Sequence, residues 1–299
     1  VLRCLLDAGF ETAAVVTMAD DGGSSGTLRR ELGMLPPGDI RNCLVAMAPE
    51  SSELARLFQY RFPKGAGLEG HALGNLIMAA LADMNGGFIQ AVEHSAQLLG
   101  TRGRVLPSTL ASVGLCAVDS AGRPVAGQAR IANTAGPFAD VALDPASPDP
   151  YQPAIEAIDA ADVIIIGPGS LFTSIIPNFL VSGIADAVRR STARRVYVCN
   201  VANQRGETSG MDAADHVGFL LAHGLADSID VVIVHRSTAH GSKLCDDVSP
   251  SPEVVCATPE VVARIESLGI RVVLSDLADP ERPVRHDKDA LCRMLREVL

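Results

Sequence analysis

Tryptophan is absent from this sequence, and aromatic residues fill only 4% of its 299 positions. The core cannot rest on stacked rings and has to come from Ala, Val, Leu and Ile, which the 47% hydrophobic content supplies. That composition suits a parallel sheet buried by helices on both faces. Basic residues are in deficit, with 25 Lys and Arg against 35 Asp and Glu and a net charge of -10. This excludes sequence-independent binding to nucleic acid or acidic membranes, which need basic surface. It leaves a small anionic ligand open, because loop N–H groups hold phosphate without Lys or Arg. No apolar run approaches ~18 residues, so no membrane span is expected, and no signal-peptide pattern is present. The seven cysteines, at 4, 43, 116, 199, 245, 256 and 292, form no CxxC pair. They predict reduced, mostly buried thiols and a cytoplasmic setting. An HExxH helix, zinc-type Cys/His spacing and the Walker lysine are all missing.

What is present alternates. β-Branched runs at Ala13–Met18, Val163–Ile166, Val196–Cys199, Val231–Val234 and Arg271–Leu274 read as strands. Between them lie helical patterns near Arg41–Met47, Ser52–Gln59, Leu73–Met84, Gly87–Leu98, Pro153–Ala160, Pro177–Arg190, Asp212–His223, Pro259–Ser267 and Asp287–Val298. This order predicts an α/β fold, a Rossmann-like and mostly parallel sheet with helices on both faces. Two extended runs around Asp119–Arg123 predict a small antiparallel β-hairpin insert at about 105–145, within a single domain over 1–299. The chain opens without Met on an amphipathic helix, VLRCLLDAG. A Rossmann-like unit has a strand and a Gly-rich turn before its first helix, so the expectation is an N-terminally truncated domain.

Five segments carry candidate chemistry. In ADDGGSSG, Asp20 and Asp21 end a predicted strand, where such sheets bind ligands. Gly22 and Gly23 permit close backbone approach, and Ser24 and Ser25 add hydroxyls. Asp39 in PPGD is an N-cap, a ligand carboxylate, or both, and Asn42 follows it. The carboxylates suit Mg²⁺, which takes one or two of them plus phosphates and waters. In GHALGN, His71 and Asn75 stand at i and i+4, on one face of a helix start. In VIIIGPGSLFT, a buried strand runs into Gly167, Gly169 and Ser170, with Thr173 beyond, a junction that presents free N–H groups to an anion. Asn200 ends the next strand and opens a polar loop with Glu207 and Thr208, after which Asp212 reads as a cap and Asp215 and His216 as exposed helix positions. In VRHD, Arg285 is a phosphate clamp or a surface ion-pair partner, and Asp287 an N-cap.

Taken together, VTMADDGGSSGTLRRELGMLPPGDIRNCL, LFQYRF, GHALGNL, VLPST, IGPGSLFTSIIPNFLV, YVCNVANQRGET and DHV resemble the YvcK family, the gluconeogenesis factors, in the CofD-like superfamily. The resemblance runs in order from about residue 15 to 235. It implies a modified Rossmann fold and binding of a UDP-sugar such as UDP-N-acetylglucosamine (UDP-GlcNAc). It also implies a regulatory part in cell-wall synthesis, morphogenesis and growth on gluconeogenic carbon. The related CofD branch implies an alternative, Mg²⁺-dependent transfer of 2-phospho-L-lactate to a deazaflavin, with metal positions that resemble Asp21 and Asp39. Arg285 occupies a place similar to a C-terminal arginine that bears on UDP-sugar binding in the YvcK branch. The family's opening strand and GGGTG-type loop are absent here, and 236–258 matches poorly. An NAD-dependent enzyme is suggested only by fold class, which does not fix function. The expected partner is a small nucleotide ligand, with a homo-oligomer possible in principle and no nucleic acid.

Overall fold

The computed structural model describes residues 1–119, 121–134, 136, 138–204, 206–236, 253–255 and 257–299. Most of the poorly matching 236–258 segment, with Cys245 and Cys256, lies outside the described residues. Nine strands follow in chain order: β1 Ala13–Val16, β2 Arg104–Pro107, β3 Gly114–Asp119, β4 Pro124–Ala126, β5 Phe138–Asp144, β6 Val163–Ile166, β7 Arg194–Val198, β8 Val231–His235 and β9 Arg271–Ser275.

The Val- and Ile-rich runs build a four-stranded parallel sheet in the order β6-β7-β8-β9. Alternation along these strands sends side chains to opposite faces. Tyr197, Cys199, Val232 and Val234 enter one core with Val188 of helix Ile184–Arg190, Val217 of Ala213–Leu220 and Ile265 of Pro259–Glu266. Val196, Val198, Val231 and Ile233 enter a second core with Cys4, Leu291 and Leu295. Strands added in one direction by right-handed crossovers keep their connecting helices on one face. The opposite face is therefore left to the first helix, Leu2–Asp7, and the last, Lys288–Val298.

The parallel strands do not form one continuous sheet. β1 and β2 pair with each other, parallel, as a separate two-stranded unit. The antiparallel insert is real and narrower than expected. β3 pairs with β4 across the Asp119–Arg123 turn and with β5 on its other edge, while 104–107 belongs to the parallel pair. Asp119 holds that turn by accepting the backbone N–H of Ala121 and Arg123 and the Arg123 side chain.

Three further expectations are corrected. Cys4 and Cys292, 288 residues apart, are joined as a disulfide between the first and last helices, with Cα atoms 5.2 Å apart. Spacing along the chain gave no hint of this, because the two helices meet only by covering the same sheet face. Cysteine content thus carries no argument about compartment. The helix expected over Pro177–Arg190 is broken. A wide turn at Leu171–Ile175 leads into Ile176–Phe179, and the chain restarts at Ile184 after Gly183, whose φ of 77° admits no ordinary helix. The bent pair packs inside the core through Phe172, Ile176 and Val188, and among the described residues no single helix is long and apolar enough to cross a membrane. Finally, the Gly- and Ser-rich run after Asp21 is not a loop but the helix Gly23–Leu32.

His216 was expected to be exposed and is instead fully buried. Its Nε2 pairs with Asn203 Oδ1 at 3.1 Å, and its Nδ1 faces the Tyr197 hydroxyl at 3.4 Å. With Nε2 donating to the amide oxygen, Nδ1 accepts from Tyr197, so the neutral ring satisfies all three groups. Burial pushes its pKa down to about 4. The unfolded chain then binds the extra proton between about pH 6.5 and pH 4, and stability is lost as pH falls through that window. Denaturation at stepped pH should show the advantage of the parent over a His216→Gln variant shrinking by about 3 kcal/mol from pH 6.5 to 4. A difference that does not vary with pH contradicts this role.

Candidate functional site

Two clusters of the candidate residues form at the carboxyl ends of the parallel strands, and the insert joins them. The first lies beyond β1. Ser25 Oγ accepts the Gly38 N–H at 3.1 Å. A Cβ on Gly38 would stand 2.4 Å from that oxygen and 2.9 Å from an Asp20 carboxylate oxygen, so only glycine fits there. Asp39 follows, in the first turn of helix Gly38–Met47. The N-cap position belongs to Pro37, so Asp39 is not the cap. Burial, and then the neighbouring Asp20 carboxylate, push the Asp39 carboxyl up to about 6. Asn42 bonds Asp39 and also accepts from Arg41 at 2.6 Å.

Behind this acidic pair runs a buried polar chain. Arg41 donates to Asn75 Oδ1 at 3.0 Å, Asn75 donates to Ser24 Oγ at 3.1 Å, and Ser24 pairs with His71 Nδ1 at 3.1 Å. Gly74 is obligatory, since a Cβ there would meet the Arg41 stem and the Phe58 carbonyl. His71 lies before the N-cap Ala72 and outside the helix, so it and Asn75 meet at Ser24 rather than through a shared helix face. His71 also lines a cleft of about 420 Å³ with Thr27, Glu31 and the 65–69 loop, within the size range of small-molecule sites. Arg41, missed at the sequence level, is buried here because a positive charge offsets the two carboxylates.

Asp21 stands apart from Asp39. Its carboxylate accepts the backbone N–H of Gln128 and Ala129, at 3.0 and 2.8 Å, at the start of the short insert helix Gln128–Ile131. Gly22 lies beside the same residues, and Gly23, with φ of 45°, opens the following helix. The acidic pair is thus Asp20 with Asp39, rather than Asp21 with Asp39. Asp21 and Asp20 are adjacent in sequence, and periodicity does not tell which carboxylate the backbone turns inward.

The second cluster lies beyond β6 and β7. Gly167 has φ of 73°, and a Cβ on it would press on the Val198 carbonyl and Ile175. Asn200 donates to the Gly169 carbonyl at 2.8 Å. Ser170 and Thr173 donate to the two oxygens of Glu207, Thr173 at 2.9 Å. Both hydroxyls thus face a buried carboxylate. Gly169 needs no special φ, and a Cβ there would meet Ile175 and Ser174 at ordinary contact distance. Arg285 is exposed, while its neighbour His286 pairs with the Cys199 carbonyl at 3.0 Å and so fixes this segment at the end of β7. Asp287 caps the last helix through the Ala290 N–H, and Asp212 caps its own helix in a reciprocal pair with Asp215.

The insert helix connects the clusters. Asp21 holds its first N–H groups. At its far end the Gly206 carbonyl accepts the Gly136 N–H, and Gly206 packs against the Ala132 and Thr134 carbonyls. Four helical residues span roughly 6 Å, so the Asp20–Asp21 turn and the Gly206–Glu207 turn lie on the same side of the molecule.

Among the described residues no group of three or more His, Cys, Asp or Glu gathers to hold a metal. Mg²⁺ needs only one or two carboxylates when phosphates and waters complete its shell. Asp20 and Asp39 fit that requirement, since they lie close enough to repel each other; the Asp21 carboxylate already accepts two backbone N–H groups, and that of Asp20 one, from Gly22. The repulsion has a stability consequence. A folded-state pKa above the unfolded one means that ionised Asp39 destabilises the fold at neutral pH, and acid relieves this as pH falls from about 6 toward 3.8. Asp39→Asn should therefore raise the unfolding free energy by about 3 kcal/mol at pH 7, with the gain vanishing near pH 4. A loss of stability at pH 7 in denaturant melts would contradict the assignment.

Comparison with known proteins agrees with the fold. The family described as 2-phospho-L-lactate transferase CofD matches residues 1–278. The gluconeogenesis factor of Bacillus subtilis is 40% identical over 302 residues, covering 100% of this chain and 94% of that protein. That of Halalkalibacterium halodurans is 39% identical, covering 99% and 92%. A Nostoc relative is 45% identical, covering 99% of this chain, and this chain spans only 65% of its length. A crystal structure of a Bacillus halodurans member of the UPF0052 family has a TM-score of 0.88 at 38% identity, covering 99% of this chain and 94% of that one.

Proposed function

This chain belongs to the gluconeogenesis factor family, with a CofD-like domain, and from that premise we propose that it binds a UDP-sugar, UDP-GlcNAc being the probe of choice, as a regulator in the cytoplasm that couples carbon metabolism to cell-wall synthesis and cell shape. What supports the reading is that the acidic turn bonds the start of the insert helix, while Gly206, next to the Glu207 that meets Ser170, bonds Gly136 beyond its end. A loop at the end of a buried parallel strand offers backbone N–H groups to a diphosphate. Arg285 lies exposed at the end of β7 and supplies a guanidinium suited to paired phosphate oxygens.

The reading without turnover is preferred because Ser24, which pairs with His71, is itself buried, and Ser170 is held by Glu207. A second reading, phosphoryl-linked transfer of the CofD type, is favoured by the Asp20–Asp39 pair alone. There those two carboxylates would hold Mg²⁺, and the ion would neutralise phosphate charge. The chain's own part would be to orient the phosphates on the Gly167–Ser170 loop.

A thermal-shift panel separates the two. UDP-GlcNAc at 100 times its Kd should stabilise the protein by ~2.7 kcal/mol without added Mg²⁺. A response to a deazaflavin that requires Mg²⁺ would instead support the transferase. Arg285→Ala, at an exposed position, should leave the melting temperature of the free protein unchanged and weaken UDP-GlcNAc about tenfold, as expected for one charge-assisted contact. Unchanged affinity would remove Arg285 from the site.

A further inference from the structure

Glu207 is 2% exposed, an unusual place for a carboxylate. It accepts from the Ser170 hydroxyl, from the Thr173 hydroxyl at 2.9 Å and from the backbone N–H of Phe172. All three donors belong to the turn that follows β6, 34 to 37 residues away in sequence. The two hydroxyls also approach each other, at 2.5 Å. Burial pushes the Glu207 carboxyl up, and these hydrogen bonds pull it back down.

We propose that Glu207 is a positioning residue for ligand binding: it fixes the Gly167–Ser170 loop from beneath, so that the backbone N–H groups of the loop face the phosphates of a nucleotide ligand. The inference rests on the UDP-sugar reading above. Asn200 holds the same loop from the side, through the Gly169 carbonyl. Loop residues 167–170 are half-exposed, whereas Glu207 and Thr173 are buried under them. A ligand therefore meets the backbone first and does not reach the carboxylate.

The opposite possibility is that Glu207 stands in for a phosphate and leaves when one arrives. The surroundings of Gly206 argue against that motion. Its carbonyl accepts the Gly136 N–H, and a Cβ on it would stand 3.0 Å from the Ala132 carbonyl and 3.1 Å from that of Thr134. The Gln204–Thr208 turn is also closed on itself, with the N–H of Glu207 and of Thr208 both bonded to the Gln204 carbonyl. Glu207 is thus locked from outside by the insert and has no path to swing away without unpacking it.

The test is calorimetric titration of UDP-GlcNAc into the whole chain and four variants, each melted in parallel: Glu207→Ala, Glu207→Gln, the double variant Ser170→Ala/Thr173→Val, and the triple variant that adds Glu207→Ala to it. Glu207→Ala should weaken binding by about tenfold or more. Glu207→Gln, which still bridges both hydroxyls, should restore affinity to within about threefold of the parent. Added to the double variant, Glu207→Ala should have almost no further effect, the non-additivity expected of groups that act through one another. If Glu207→Ala unfolds the chain, the glutamine and double variants still decide: full affinity in the double variant overturns the proposal. So does a Glu207→Ala protein that melts like the parent and binds as tightly, or more tightly. A parent chain that ignores UDP-GlcNAc overturns the underlying reading and this inference with it.

Discussion

The Asp21 carboxylate, taking up two backbone N–H groups at the head of a four-residue helix, is the contact on which the rest of the site depends. A helix start has N–H groups with no partner of their own, and a carboxylate placed there satisfies them and complements the helix dipole. Through this bond the antiparallel insert is anchored to the turn after β1. At its other end the insert holds Gly206 and thereby Glu207, which in turn fixes the Gly167–Ser170 loop. The order is mechanical: acidic turn, insert helix, buried glutamate, phosphate-type loop. If the first bond is removed, the insert no longer ties the two half-sites, which lie on separate sheets of one shared core.

Charge is distributed along this chain with a clear division. Asp21 and Glu207 have their oxygens satisfied by donors and act structurally. Asp20 and Asp39 repel each other, and only Asn42 and the nearby Arg41 moderate them. Unpaired repulsion in a buried corner is tolerated when a ligand or ion is to be met there. The buried chain from Arg41 through Asn75 and Ser24 to His71 has the same logic. It supplies a positive charge and fixed donors behind the carboxylates, and it ends at the cleft beside His71.

Much of the fold was legible in the letters. Uninterrupted runs such as VIII and VVIV read as parallel strands, and both are; VVIV, inside the sheet, is fully buried, whereas VIII, at its edge, is half-buried. The hairpin around Asp119 was equally plain. What the letters hid depends on tertiary contact. The helix Gly23–Leu32 begins in residues of low helix propensity and is held by burial of Ser24, Ser25 and Gly26. A Cβ on Gly26 would collide with the Asp21 carbonyl, a constraint invisible to periodicity. The Cys4–Cys292 disulfide and the burial of His216 likewise reflect elements that meet only in space. The site was legible as a set of segments but not in its pairings. Asp20 rather than Asp21 faces Asp39, and Glu207, seen only as one polar loop residue among several, proved to be the group that the Ser170 and Thr173 hydroxyls meet.

The central claim is that the turn after β1 and the loop after β6 form one ligand site across the insert. Hydrogen exchange of the whole chain, read by peptide with and without saturating UDP-GlcNAc, tests this directly. The account predicts that amides in 22–26 and in 168–173 slow together, with the insert helix at 128–131 slowing alongside them. Protection confined to one of the two segments, or to neither while the ligand is bound, would contradict it.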